Sequence, residues 1–297
     1  MGIQRLERHA VERIWGRRDL PAGFADCAAA GPVGEIWFGG GPGEALLVKY
    51  LFTSQRLSIQ VHPGDEAARA AGHPHGKDEA WLVLDAEPGA VIGLGLKRRV
   101  AKSELRAAAL DGSIEALVDW RPAKSGDAFF SPAGTIHAIG AGLTLIEVQQ
   151  NVDLTYRLYD YGRPRETHLE AALAVARAGP WRNESAPFTA SSGRRILAGG
   201  GPFTLERWTR RGRFRIEADR AVLLIPLKDK GTLDGEPLAA GTVWRVDGEA
   251  RLDLPTGGDL LAAYPGPPLA DPLGGHHSLV LRLHSSGKAR LPSVDCR

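Results

Sequence analysis

Two stretches of this 297-residue chain hold side chains that can bind a metal and move protons. The first is Gln60-Val61-His62-Pro63, followed by Gly76-Lys77-Asp78-Glu79-Ala80-Trp81. Residues two apart on a strand point to the same side, so Gln60 and His62 can reach one ion together. Glu79 opens an apolar run that can lie beside them. The second stretch is Gly126-Asp127-Ala128-Phe129-Phe130-Ser131-Pro132-Ala133-Gly134-Thr135-Ile136-His137. Its glycines permit tight turns, and Pro132 fixes the entry to the segment that presents His137. Cys27 and Cys296 are the two cysteines, which excludes a disulfide framework and a Cys-based zinc cluster. A metal, if bound, must take His, Asp, Glu or amide oxygen ligands. His73, His75, His168, His276, His277 and His284 lack such a context and read as ordinary surface or core residues.

The elements that must position these groups are mostly strands. Leu46 to Leu51 reads as a buried strand. Leu57 to His62 alternates strictly, with Leu57, Ile59 and Val61 on one face and Ser58, Gln60 and His62 on the other. Ala80 to Leu84 and Ala90 to Leu94 follow, joined by a Glu87-Pro88-Gly89 turn. Residues 1–45 read as loop-rich, with one strand candidate at Gly34 to Phe38. The run Gly39-Gly40-Gly41-Pro42-Gly43 lacks a following Gly-Lys-Ser/Thr, so it reads as a turn and not a phosphate loop. Ser103 is expected to cap a helix from Glu104 to Leu110 that Gly112 stops, and Ser113 a second through Val118. Strands are then expected at Asp127 to Phe130, Thr135 to Ile139, Leu143 to Gln149 and Thr155 to Tyr159. Leu169 to Arg177 reads as a helix and Asn183 to Arg195 as a linker. More strands fill 196–265.

Residue by residue, the second stretch resembles the second cupin motif, with Ala141 where that motif carries Asn. The first cupin motif is altered: its His-x-His stands here as Gln60-x-His62. One sugar isomerase family shares that change, and the chain resembles type I mannose-6-phosphate isomerases (phosphomannose isomerases) of the short bacterial form. The likeness runs from Glu12-Arg13-Ile14-Trp15-Gly16 through Glu35-Ile36-Trp37, both ligand stretches and Tyr156-Arg157-Leu158-Tyr159-Asp160-Tyr161-Gly162-Arg163. The resemblance implies a mainly β fold: two cupin-like β-barrel or jelly-roll domains, the first with a small helical insertion at about 100–120. The expected division is 1–185 for the metal-binding catalytic domain, 186–265 for a smaller cupin-like domain and 266–297 for a tail.

The resemblance also implies one Zn²⁺ per chain, held by Gln60, His62, Glu79 and His137. The donor chemistry agrees: two imidazoles, a carboxylate and an amide oxygen suit a catalytic zinc with room for substrate oxygens. The implied reaction interconverts mannose 6-phosphate and fructose 6-phosphate by proton transfer through a cis-enediol(ate). Arg157 matches an active-site Arg of the family and can stabilise developing negative charge or orient substrate oxygens. Lys77 matches a Lys near the substrate, suited to holding phosphate or, if desolvated, to proton transfer. Longer family members carry His-Lys-Pro-Glu where this chain has Gly76-Lys77-Asp78-Glu79. Glu147 matches an active-site Glu, and a carboxylate at a strand centre is uncommon unless paired or functional. The base lies among Glu147, Lys77 and metal-bound water. Trp15, Glu35 and Trp37 either line the pocket, as the family pattern suggests, or serve packing and a strand edge.

Composition narrows the rest. Thirty-seven basic and 35 acidic residues give a formal charge of +2, which leaves no footprint for nucleic acid. The basic run Arg207 to Arg215 alternates with Trp208 and Phe214 and reads as a solvated strand face. No run of about 18 apolar residues exists, and the N-terminal residues lack a signal-peptide core, so a cytoplasmic monomer or weak homo-oligomer is expected. Two alternatives stand beside the isomerase: an enzyme for a related or unphosphorylated aldose, and a cupin that binds metal and sugar without turnover. An iron oxygenase using two His and one carboxylate is a third, against which Gln60 and the charged sugar-anchor candidates count.

Overall fold

A computed structural model describes residues 2–41, 43–182, 187–217, 219–268 and 279–282. Among these the chain is mainly β, with four sheets and short helices. The first sandwich pairs a six-stranded sheet with a five-stranded one. The six-stranded sheet runs, in spatial order, Arg8–Arg17, Val33–Gly39, Leu46–Thr53, Leu143–Gln150, Glu79–Ala86, Ala128–Ser131. The five-stranded sheet runs Tyr156–Tyr159, Ile59–Val61, His137–Ile139, Val91–Leu96, Val118–Pro122. Leu51, Trp81, Val83 and Leu145 from one sheet meet Ile92, Leu94 and Ile139 from the other and form the interior.

The outer face of the six-stranded sheet is not solvated. Ile36, Phe38, Tyr50, Leu82, Ile146 and Val148 pack against Leu205, Leu223, Ile225 and Leu261 of a seven-stranded sheet. That sheet in turn covers a second core with the remaining five-stranded sheet, through Leu224, Trp244, Leu252 and Leu254. On the other side, helices Lys102–Asp111 and Leu169–Val175 cover the first sandwich, with Leu105, Ala109 and Leu173 against Ile59, Val61 and Ile136. This layering explains why Leu46–Thr53 and Leu143–Gln150 are buried at every position. Strands covered on both faces lose the polar alternation of a half-exposed sheet.

Several local expectations change. Residues 1–45 are not mainly loop: Gly2–Arg5 pairs with Trp244–Asp247, and Arg8–Arg17 pairs with Val33–Gly39. The register of the latter pair shifts at Glu12, so no single period marks it in the sequence. Ser103 does not cap; the helix begins at Lys102 with Ala101 before it and no side-chain cap. Gly112 ends it in the left-handed conformation, as read. Ser113 precedes the helix Ile114–Leu117 but has helical φ and ψ instead of the extended form a capping hydroxyl needs. Val118 then opens a strand instead of closing a helix. Within the expected linker, 183–186 lie outside the described residues, while Phe188–Ser191 and Arg194–Ala198 are strands. Most of the tail lies outside them too; Leu279–Arg282 pairs parallel with Gly212–Glu217.

Candidate metal centre and active site

Two rows of cross-strand neighbours face each other inside the first sandwich. On the five-stranded sheet Arg157 lies opposite Gln60, and Gln60 opposite His137. On the six-stranded sheet Lys49 lies opposite Glu147, Glu147 opposite Trp81, and Gln149 opposite Glu79. Because strand side chains repeat every two residues, Glu147 and Gln149 share the inner face, as do Glu79 and Trp81.

His62, Glu79 and His137 converge at the centre, with candidate ligand atoms all within 4.8 Å of one another. Each is about 1% exposed. His62 Nδ1 lies 2.8 Å from the Leu154 carbonyl, and His137 Nδ1 lies 2.9 Å from the Thr135 carbonyl. A carbonyl only accepts, so each Nδ1 carries the proton and each Nε2 offers its lone pair inward. His62 Nε2 and Glu79 Oε2 have no hydrogen-bond partner among the described residues. Buried polar atoms without partners are costly, and an ion between them removes the cost. Burial pushes His62 down to about 4 and lowers His137, so both rings stay neutral at neutral pH. Burial alone would raise Glu79, but His62 and Lys77 hold it well below the usual carboxylate range. With His62 neutral, Lys77 at 3.0 Å supplies that pull. One anionic oxygen ligand and two neutral nitrogens fit a divalent cation.

Gln60 is beside this group. Its Nε2 lies 3.2 Å from His137 Nε2, and its Oε1 accepts from Ser58 Oγ at 3.0 Å. Rotating the terminal amide by half a turn exchanges the two atoms and presents the oxygen to an ion. The close fit of the Gly76 backbone explains a departure noted in the sequence. A Cβ there would lie 2.6 Å from the Gly64 and Pro63 backbone, so no larger residue fits ahead of Lys77.

A cavity of about 420 Å³ opens over the centre, a size that accommodates a hexose phosphate. Gln60, Lys77, Glu79, Glu147 and Arg157 line it, as do Trp15 and Glu35. Glu147 Oε2 accepts from Trp81 Nε1 at 2.8 Å, and its Oε1 is 3.2 Å from Lys49 Nζ. Burial raises the Glu147 carboxyl, as does the nearby Glu79 charge, against the pull of Lys49 and Lys77. Burial alone would lower Lys77, but Glu79 and Glu147 outweigh it and its pKa rises, so it remains an ammonium. Among the described residues Arg157 has no carboxylate at ion-pair distance; burial and the neighbouring Arg165 press on its charge. Glu35 accepts from Trp37 Nε1 at 2.7 Å and Arg13 Nη2 at 2.9 Å, while Trp15 both lines the cavity and packs in the interior.

Of the residues singled out in the sequence, Trp15, Glu35, Gln60, Lys77, Glu79, Glu147 and Arg157 line one cavity, His62 and His137 adjoin it through Glu79, and Trp37 is not in its wall. The structure adds Lys49, Arg13, Asp153 and Arg165 to the wall. Lys49 had a signal: it is a lone charge inside Leu46-Leu47-Val48-Lys49-Tyr50-Leu51, the same anomaly that marked Glu147. It ties neighbouring strands of the six-stranded sheet together, donating to Gln149 Oε1 at 2.6 Å with its ammonium 4.7 Å from the Trp37 ring centre.

No family model matches the chain. Among curated proteins it is 35% identical over 188 residues to mannose-6-phosphate isomerase of Streptococcus mutans. That alignment covers 61% of this chain and 59% of the relative, so it spans less than two thirds of the relative's length. It is 31% identical over 211 residues to the probable mannose-6-phosphate isomerase GmuF of Bacillus subtilis, covering 57% of this chain and 67% of that one. The solved structure of the Bacillus subtilis mannose 6-phosphate isomerase superposes with a TM-score of 0.78 at 25% identity, covering 89% of this chain and 99% of that one.

Proposed function

The chain belongs to the mannose-6-phosphate isomerase family, and from that premise we propose that it interconverts mannose 6-phosphate and fructose 6-phosphate. The reaction moves a proton between C1 and C2 of the open-chain sugar through a cis-enediol(ate). Gln60, His62, Glu79 and His137 would hold one Zn²⁺. When bound, the ion supplies Lewis-acid polarisation of the sugar oxygens O1 and O2. The observation that carries the reading is the meeting of this buried ligand group with Lys77, Glu147 and Arg157 around one sugar-sized cavity.

Each residue then has a role its surroundings support. Glu147 is the proton carrier: burial makes its carboxylate a stronger base than a solvated one, and Trp81 fixes one of its oxygens. Lys77 keeps its proton beside two carboxylates, which favours neutralising charge over accepting a proton. Its closeness to Glu79 and near-complete burial leave the phosphate to a more accessible cation. Arg157 fits that task, being partly exposed on the cavity wall with no carboxylate partner among the described residues. Trp15 closes the wall against water, and Glu35 offers a carboxylate to sugar hydroxyls.

The test is an assay of mannose 6-phosphate conversion before and after chelation, and again with Zn²⁺ restored. Activity should disappear and return, with deuterium from solvent entering C1 of the fructose 6-phosphate formed. A metal-loaded protein that converts no mannose 6-phosphate refutes the reading. Turnover without solvent exchange would assign a hydride shift and remove Glu147 from its role.

A further inference from the structure

A second concavity, of about 560 Å³, lies behind the metal centre on the helical side of the five-stranded sheet. Arg99, Lys102, Arg177 and Arg182 line it together with Thr135, and among the described residues no carboxylate does. Arg99, Lys102 and Arg182 are exposed and have no hydrogen-bond or ion-pair partner for their side chains among the described residues. Their neighbours behave differently: Arg98 pairs with Glu104, Arg106 with Glu170 and Arg121 with Asp119. Three cations without a side-chain partner among the described residues thus line one depression, on a chain whose net charge is only +2.

The walls of the depression are fixed. The segment 176–182 straps across the sheet edge, with Leu96 N donating to Gly179 O at 2.9 Å and Val100 N to Ala178 O at 3.0 Å. Gly95 and Thr135 bridge to Pro180 and Arg177. Gly95 has φ +68°, and a Cβ there would lie 2.3 Å from Trp181 N, so only glycine lets the strap lie flush. Like charges around one concavity repel, and a bound anion relieves the repulsion.

We infer that this depression is an anion site, separate from the sugar cavity, that takes the phosphate group of a small molecule. Guanidinium groups match phosphate oxygens in pairs, and Lys102 adds a point charge. Lys102 also opens its helix behind an N-cap residue without a side-chain cap, which adds a weak field of the same sign to that of the cations. The site is wired to the metal centre through its lining. The carbonyl that lines up His137 belongs to Thr135, and Arg177 donates to the Ala133 carbonyl at 2.5 Å. Ala133 N in turn donates to Asp78 Oδ1 at 2.8 Å, next to Glu79.

The test titrates the metal-loaded full chain, freed of excess ion, with inorganic phosphate by calorimetry. Three variants run beside it: Arg157→Ala, combined Arg99→Ala/Lys102→Ala/Arg182→Ala, and combined Arg99→Lys/Arg182→Lys. The wild type should show two classes of phosphate site, and Arg157→Ala should retain the one behind the metal centre. The triple variant should lose that class by at least about tenfold in affinity, the scale of one charged hydrogen bond lost. The lysine variant, which keeps the charge, should retain it. ADP binding tighter than phosphate would identify a nucleotide as the source, and equal affinity the free ion. Triple and wild-type proteins binding phosphate alike, or Arg157→Ala abolishing all binding, would overturn the site.

Discussion

Replacing Lys49 with Met removes one ammonium while keeping the length of the side chain, and its effect can be worked from the geometry. Lys49 Nζ stands 3.2 Å from Glu147 Oε1, with both side chains about 5–6% exposed. At an effective dielectric constant near 20, that separation corresponds to an attraction of ~5 kcal/mol. Losing one member of a buried pair typically costs about 3–5 kcal/mol, because the remaining charge stays desolvated. Glu147 has a way to reduce that cost, which is to bind a proton. Burial already raises its carboxyl, and Lys49 is one of two cations that oppose the rise. The variant should therefore keep Glu147 protonated to higher pH. A carboxyl whose folded pKa lies above its unfolded value contributes stability below the unfolded pKa and loses it as pH rises through the folded one. Lys49→Met should then be least destabilised at acid pH and most at alkaline pH, in denaturant titrations across the range. The acid limb of kcat/KM should move to higher pH in the same variant. A stability loss that is flat with pH, together with an unmoved limb, would show that Lys49 only fills space and does not govern Glu147.

Other outcomes follow from the same contacts. His137→Ala removes one of the four proposed ligands, so bound zinc measured by elemental analysis should fall well below one per chain, and turnover with it. Arg157→Ala should keep the metal and raise KM for mannose 6-phosphate by about tenfold or more, the worth of a charged contact; unchanged steady-state kinetics would remove Arg157 from the site. In the second sandwich, Arg207 grips Asp259 with contacts of 2.7 and 2.8 Å. Burial alone would raise Asp259, but Arg207 and Lys228 hold it below the usual range. A depressed carboxyl gives stability above its unfolded pKa that is lost as pH falls through the folded one. Asp259→Asn should thus cost about 1 kcal/mol at neutral pH, after allowance for the partly exposed Arg207, and less in acid, read by urea unfolding.

Legibility from sequence followed how locally each feature is encoded. Gln60 and His62 were readable as a pair because alternation puts residues two apart on one face; the observed strand is shorter, Ile59–Val61, with His62 directly after it and Leu57 packed in a different cluster from Ile59 and Val61. The Pro132-Ala133-Gly134 turn before His137 was readable because proline and glycine act on their own backbone. Lys49 and Glu147 are directly opposed across two strands that lie about 100 residues apart in the chain, a register no local pattern states. Leu46 to Leu51 was readable as a buried strand from its apolar run, but the second sheet that covers its outer face is encoded far downstream, which no local pattern states. The failed caps have a smaller cause: Ser103 lies inside a helix that starts at Lys102, and Ser113 stands at the start of its helix but with backbone angles unsuited to capping.

The strand Gly2–Arg5 has a bearing on how the protein is made. It joins a sheet edge formed by Trp244–Asp247, Leu6 N donates to Val243 O, and Arg8 reaches the Gly241 carbonyl 233 positions away. During synthesis this segment has no partner until the strand Trp244–Asp247 has left the ribosome. Domains emerging in order usually fold in order. Here Gly2–Arg5 must wait for a strand encoded far downstream, and part of the apolar outer face of the six-stranded sheet waits with it. A ribosome stalled before residue 241 would hold a nascent chain with that part of the face uncovered, a natural client for a chaperone.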